Sequence, residues 1–147
     1  MAYEQFTRSL PMMLYRALDA VMPRFRSIFN EFDLTEQQWR VLRVLWETDL
    51  STIGELSEVT LLPAPSLVGI VDRLEQRGLV ARRRSEKDRR KVHVVVTVAG
   101  AKLEAQIMPR VASAYADLKQ SVDADTWAAV LAGLGQISAE SGVKRGK

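Results

Sequence analysis

The chain has no cysteine among its 147 residues and a single histidine, His93. Without cysteine there is no disulfide, no thiol nucleophile and no thiol-based redox sensor. His93 has no second histidine at ligand spacing. It reads as structural or solvent-facing, because a transition-metal site wants several nitrogen or sulfur ligands. No metal and no other cofactor is expected. No run approaches the ~20 apolar residues of a membrane helix, and the N-terminus lacks the charged-then-apolar layout of a signal peptide. A soluble, cytoplasmic protein without a membrane partner is the expectation. Also missing are an HExxH pair, a glycine-rich phosphate loop and a histidine base paired with Ser and Asp. Scattered acids such as Asp123 and Asp125 read as helix caps. These absences argue against an enzyme.

What is present is apolar residues at 47% of the chain, enough to core one domain or two small lobes that share long helices. The charge is unevenly placed. Between positions 73 and 91 there are nine cations (Arg73, Arg77, Arg82, Arg83, Arg84, Lys87, Arg89, Arg90, Lys91) against three acids, a local charge of +6. The whole chain is only +3, so the remainder sums to −3. Basicity confined to one segment is the footprint of a phosphate-binding face.

That segment lies within a readable stretch, Pro63 to Gly100. Pro63 and Pro65 fit only at a helix start, where a missing N–H and a fixed φ do no harm. Leu67, Ile70 or Val71, and Leu74 recur at helical spacing as core residues, and Gly78 sits where a left-handed C-cap is wanted. Leu79-Val80 and Val92 to Val96 then flank a polar, very basic tip, which is a hairpin pattern. A helix followed at once by a basic two-stranded wing is the layout of a winged helix-turn-helix.

Here the sequence resembles a known family. Asp88-Arg89-Arg90, the strand Val92 to Val96 and Thr97-Val98-Ala99-Gly100 resemble the D-x-R…L-T-x-x-G wing signature of the MarR family of transcriptional regulators. Asp72-Arg73-Leu74-Glu75 with Arg77-Gly78-Leu79-Val80 is similar to the end of that family's recognition helix. Leu34 to Leu42 is similar to its second helix. Within the family, Leu14-Tyr15-Arg16-Ala17, Ala20-Val21-Met22 and Phe25-Arg26 look nearest to the branch regulating homoprotocatechuate and related aromatic-acid catabolism.

The rest of the chain fits a mainly α fold with a small β wing. Apolar residues three or four apart from Glu4 to Phe32 predict one long amphipathic helix, with Pro11 near its start and a kink at Pro23. Thr35 with Gln38, and Thr52 with Glu55, are capping boxes for two further helices. Asp49 to Thr52 is a short break that suits a third strand, and Thr60 to Leu62 is a turn without glycine. Thr97 caps a second long helix bent at Pro109, and Asp123 or Asp125 starts a last one. The expected organisation is an N-terminal dimerisation helix (1–33), a winged helix-turn-helix (34–98), C-terminal dimerisation helices (99–141) and a flexible tail (142–147).

For function, the N-terminal end of a recognition helix reads bases in the major groove. Ala64, Pro65, Ser66, Val68 and Gly69 occupy that end. Ser66 can hydrogen-bond; Ala64, Pro65 and Val68 offer only apolar contacts, for example to thymine methyls. Gly69 and Ile70 stand where relatives often carry Thr-Arg, so an arginine for guanine is missing from this helix. The wing must then do more. Arg89 or Arg90 is placed for a minor groove, and Arg73, Arg77, Arg82, Arg83, Arg84, Lys87 and Lys91 are candidate phosphate contacts. The resemblance implies an Asp88–Arg90 ion pair that shapes the wing tip. Two-fold symmetry of a homodimer on pseudo-palindromic double-stranded operator DNA follows from the docking geometry.

The resemblance further implies a repressor released by a small, often anionic aromatic effector. Such a ligand needs a cation inside an apolar, aromatic cleft. Arg16, Trp39 and Arg43 are the candidates, with Arg16–Asp19 pairing as the plainer role for Arg16. The alternative is a ligand-independent winged-helix nucleic-acid-binding protein.

Overall fold

The computed structural model describes residues 5–140. A single 3-10 turn at Phe6–Arg8 precedes six helices and three strands. In order these are α1 (Leu10–Glu31), α2 (Glu36–Thr48), β1 (Leu50–Thr52), α3 (Ile53–Thr60) and α4 (Ala64–Gln76). Then come β2 (Val80–Arg84), β3 (Val92–Val96), α5 (Val98–Gln120) and α6 (Ala124–Glu140). The protein is mainly α with one small antiparallel sheet in the order β1-β3-β2. Contacts divide the chain within α5 into two compact units, one up to Val111 and one from Ala112 onward.

Local chemistry sets most boundaries. Thr35 and Thr52 each accept a hydrogen bond from the backbone N–H three residues on, and the side-chain oxygens of Gln38 and Glu55 accept in turn from the cap N–H. Both helices therefore start with a reciprocal capping box. Gly78 takes φ +73 just past α4, as a left-handed stop requires. The break after α2 does form β1, with Leu50 opposite Val95 and Thr52 opposite His93.

Three boundaries differ from expectation. The first helix begins at Leu10, not Glu4, because Ser9 is extended and its hydroxyl donates to the Phe6 carbonyl at 2.8 Å. Pro11 then occupies the first turn, where it breaks no bond. α3 runs to Thr60, so the turn is Leu61 to Pro63, with Leu61 itself in the left-handed region. β2 continues to Arg84, in register with β3 from Val80–Val96 to Arg84–Val92. Arg82, Arg83 and Arg84 therefore lie on a strand and not in the turn. The helices run on through Pro23 and Pro109.

The core of the first unit gathers Leu42 and Leu45 of α2, Leu56 of α3, Leu67 and Leu74 of α4, and Val94 of β3, all fully buried. Each such side chain contributes on the order of 1.5–3 kcal/mol. Of α1 only Ile28 and Phe29 are buried, at its C-terminal end. There Phe29 stacks on Trp39 with centroids 4.7 Å apart. The tail expected at 142–147 lies outside the described residues.

Candidate nucleic-acid interface

α4 presents its first turn to solvent. Pro63 is the N-cap and makes no side-chain cap bond, so no side chain caps the Ala64 and Ser66 N–H groups at the positive end of the helix. Leu67, Ile70, Val71 and Leu74 are buried and hold the helix in the lobe. The opposite face exposes Ala64, Pro65, Ser66, Val68, Gly69, Asp72 and Arg73. Nothing lies within 4 Å of a Cβ built on Gly69.

The wing tip between β2 and β3 is closed by its own polar groups. Ser85 N–H donates to the Lys91 carbonyl and Lys91 N–H to the Asp88 carbonyl, each at 2.9 Å. Asp88 N–H donates to Ser85 Oγ at 3.2 Å, and Asp88 Oδ1 accepts from the Arg90 N–H at 3.1 Å. The Arg90 guanidinium lies 3.6 Å from the same oxygen, while its side chain is 94% exposed. Arg84 Nη1 donates to the Arg89 carbonyl at 3.0 Å. Lys87, Arg89 and Lys91 are exposed beside it. The result is a stiff loop carrying outward-facing cations.

An exposed helix start beside a basic wing is the architecture of a winged helix-turn-helix, and the comparisons with known proteins agree. The sequence model of the MarR family matches residues 32–91. The HTH-type transcriptional regulator FarR of Neisseria gonorrhoeae is 37% identical over 107 residues, 73% of each chain. The homoprotocatechuate degradative operon repressor of Escherichia coli is 34% identical over 117 residues, 80% of this chain and 79% of that one. The chain belongs to the MarR family. Among solved structures, NadR in complex with 4-hydroxyphenylacetate superposes with a TM-score of 0.78 at 31% identity, covering 93% of this chain and 97% of that one.

As a MarR-family transcriptional regulator, the molecule uses its cations in two distinct ways. Some brace the fold. Arg82 was expected on phosphate, but Arg82 Nη2 lies 2.7 Å from Asp72 and Arg82 Nη1 lies 3.1 Å from Glu75. Arg82 Nη2 also donates to the Val68 carbonyl. It ties β2 to α4 through Asp72 and Glu75. Arg77 is similarly occupied, donating to the Asp33 and Phe32 carbonyls at 2.7 and 3.1 Å and so capping the end of α1. Arg40, not singled out beforehand, donates to the Thr60 carbonyl at the helix-turn-helix turn. The other set faces outward: Arg73, Arg83, Arg84, Lys87, Arg89, Arg90 and Lys91. The Arg40 contact was not legible from spacing, because Thr60 lies on another helix.

The proposed ligand residues are placed less simply. Trp39 lies between Phe29 and Trp46, edge-on to Trp46 with centroids 5.7 Å apart. Arg43 pairs with Glu47 one turn along α2 at 2.8 Å and is part-exposed. Arg16 is exposed, and the Arg16–Asp19 pair allowed by spacing is not formed. Among the described residues, no hydrogen bond or ring contact joins Arg16 to Trp39 or Arg43. A separate cleft of about 300 Å³ is lined by residues including Trp46, Val98, Asp49 and Glu104, with no cation. Among the described residues there is also no cluster of metal-ligating side chains, and no helix is long and apolar enough to cross a membrane.

Proposed function

We propose that this regulator is a homodimeric repressor that binds a pseudo-palindromic double-stranded operator and releases it when a small aromatic carboxylate, or its CoA thioester, binds. The observation that carries the DNA reading is Arg90, almost wholly exposed at a wing tip closed by the hydrogen bonds of Asp88 and Ser85. An arginine displayed there is open to a minor groove, whose negative potential attracts it. α4 supplies the major-groove element through Ala64, Pro65, Ser66, Val68 and Gly69, and Arg73, Arg84, Lys87, Arg89 and Lys91 supply phosphate contacts. Residues 34–98 form the DNA-binding region in this reading, and 1–33 with 99–141 the dimerisation region.

The effector reading is supported by the aromatic row of Phe29 from α1 with Trp39 and Trp46 from α2, beside Arg43 of α2, and by the similarity to NadR, crystallised with 4-hydroxyphenylacetate. Arg16 becomes an anchor only if a second subunit or the ligand covers it, since in one chain it meets solvent.

Gel-shift titration across a salt series tests the first part. Log affinity should fall steeply with log salt, and Arg90→Ala should weaken binding about tenfold or more; a flat slope or unchanged binding would remove the wing from the mechanism. Thermal melting against a panel of aromatic acids and their CoA thioesters tests the second, because a ligand bound only by the folded state raises Tm. A panel without any shift would favour the ligand-independent alternative.

A further inference from the structure

Two residues at the reading end break the rules of their local structure, and the fold gains nothing from either. Leu61 adopts φ +64 and ψ 20, the left-handed region, at the end of α3. A side chain with a Cβ is disfavoured there, and Gly or Asn is the usual occupant. A buried leucine would justify the cost, but Leu61 is 59% exposed, whereas its neighbour Leu62 is buried. Gly69 lies mid-helix in α4, where glycine weakens a helix relative to alanine. No close approach requires it, since a Cβ would meet nothing within 4 Å. Local choices that cost stability without improving packing mark places shaped by something outside the chain.

The same end of the molecule lacks the groups that usually read bases. Before Arg73 the exposed face of α4 carries no cation, and Ser66 is its single neutral hydrogen-bonding side chain. Asp72 is tied to Arg82. What is offered instead is apolar: Leu61 just ahead of the helix, Pro65 and then Val68, 47% exposed, beside the open notch at Gly69. In the major groove the apolar feature that distinguishes one base pair from another is the C5-methyl group of thymine.

We propose that Leu61 and Val68 select thymines in the operator half-site by packing on their C5-methyl groups, with Gly69 leaving the space those methyls enter. This rests on the reading of the chain as a duplex-DNA regulator. Each methyl removed from water is worth about fourfold in affinity.

The test uses the full-length protein and a duplex that it selects from a randomised pool. That duplex is then resynthesised with each half-site thymine in turn replaced by uracil, which removes only the methyl. Wild type should lose about fourfold at one or more positions. Leu61→Asn and Val68→Ala should bind the thymine duplex more weakly and lose sensitivity to the same replacement. Leu61→Asn keeps the left-handed backbone, and Gly69→Ala restores a good helix former. Both should raise Tm, Gly69→Ala by about 3 °C, while lowering affinity. Uracil duplexes bound as tightly as thymine ones would overturn the proposal, as would a fall in Tm for Leu61→Asn. Variants as sensitive to uracil as wild type would also overturn it. A protein that selects no duplex at all would instead remove the operator reading beneath it.

Discussion

The lobe built from α2, α3, α4 and the sheet closes over a core of fully buried leucines, whereas α1 and α6 leave most of their large apolar side chains in the open. Leu42, Leu45, Leu56, Leu67 and Leu74 are completely buried, while Leu18 is 55% exposed and Leu131 51%. Capping does not follow the same division: α2 and α3 each begin with a reciprocal box and α6 is capped by Asp123, whereas α1 and α4 begin without a side-chain cap bond. The first region is stabilised by its own contacts. α1 and α6 carry large apolar side chains that their own contacts leave exposed, the surface that the proposed dimer would use.

The harshest way to break this comparison is to put a charge on α1. Leu18→Glu should weaken self-association about 100-fold, roughly 3 kcal/mol, in sedimentation velocity, with the circular dichroism of the helices retained. A variant as dimeric as the parent would show that the exposed α1 face is not an interface. The next test falls inside the self-sufficient lobe. A Cβ on Gly100 would lie 2.8 Å from Val96 Cγ1 and closer still to the Leu79 carbonyl oxygen. Gly100→Ala should therefore destabilise by about 2 kcal/mol in chemical denaturation, and a neutral result would show that this junction has slack.

The smallest effect sharpens the comparison at α6. Asp123 is exposed, and the Thr126 backbone N–H at 2.8 Å, followed by the Thr126 hydroxyl, holds its carboxyl pKa below the usual 3.8. A lowered folded-state pKa means that the cap stabilises above the ordinary carboxylate pKa and is lost as pH falls through the folded value. The difference in Tm between wild type and Asp123→Ala should thus be level at neutral pH and close below pH 3.8. A difference that persists unchanged into strong acid would deny the cap its ionised form.

How much of this was legible depends on how far the partners lie along the chain. Thr35, Thr52 and Gly78 act on residues within a few positions, as does Thr97 in capping the Gly100 N–H, so each cap could be read from spacing. The wing was equally local, since Ser85, Asp88, Arg90 and Lys91 bond among themselves. The intramolecular partners of Arg82 and Arg77 were not legible because they come from other elements of the fold. Arg82 meets the acids of the preceding helix, and Arg77 meets carbonyls at Asp33 and Phe32. The start of α1 was misplaced for a different reason. Phe6 keeps the helical period, yet the period does not register that Ser9 prefers its own hydrogen bond to the chain behind it. The ligand residues were the least legible, because a cleft is made by distant elements meeting and periodicity describes only one element at a time.

Gly100 and Thr97 have a mechanical consequence. The Thr97 hydroxyl donates to the Gly78 carbonyl and accepts from the Gly100 N–H, and the Thr97 N–H donates to the Leu79 carbonyl. Trp46 Nε1 adds a bond to the Gly100 carbonyl. The exit of α4, the root of the wing and the first turn of α5 are thereby tied together by hydrogen bonds. In the proposed reading, a twist applied to the beginning of α5 reaches the recognition helix and the wing through the same few bonds.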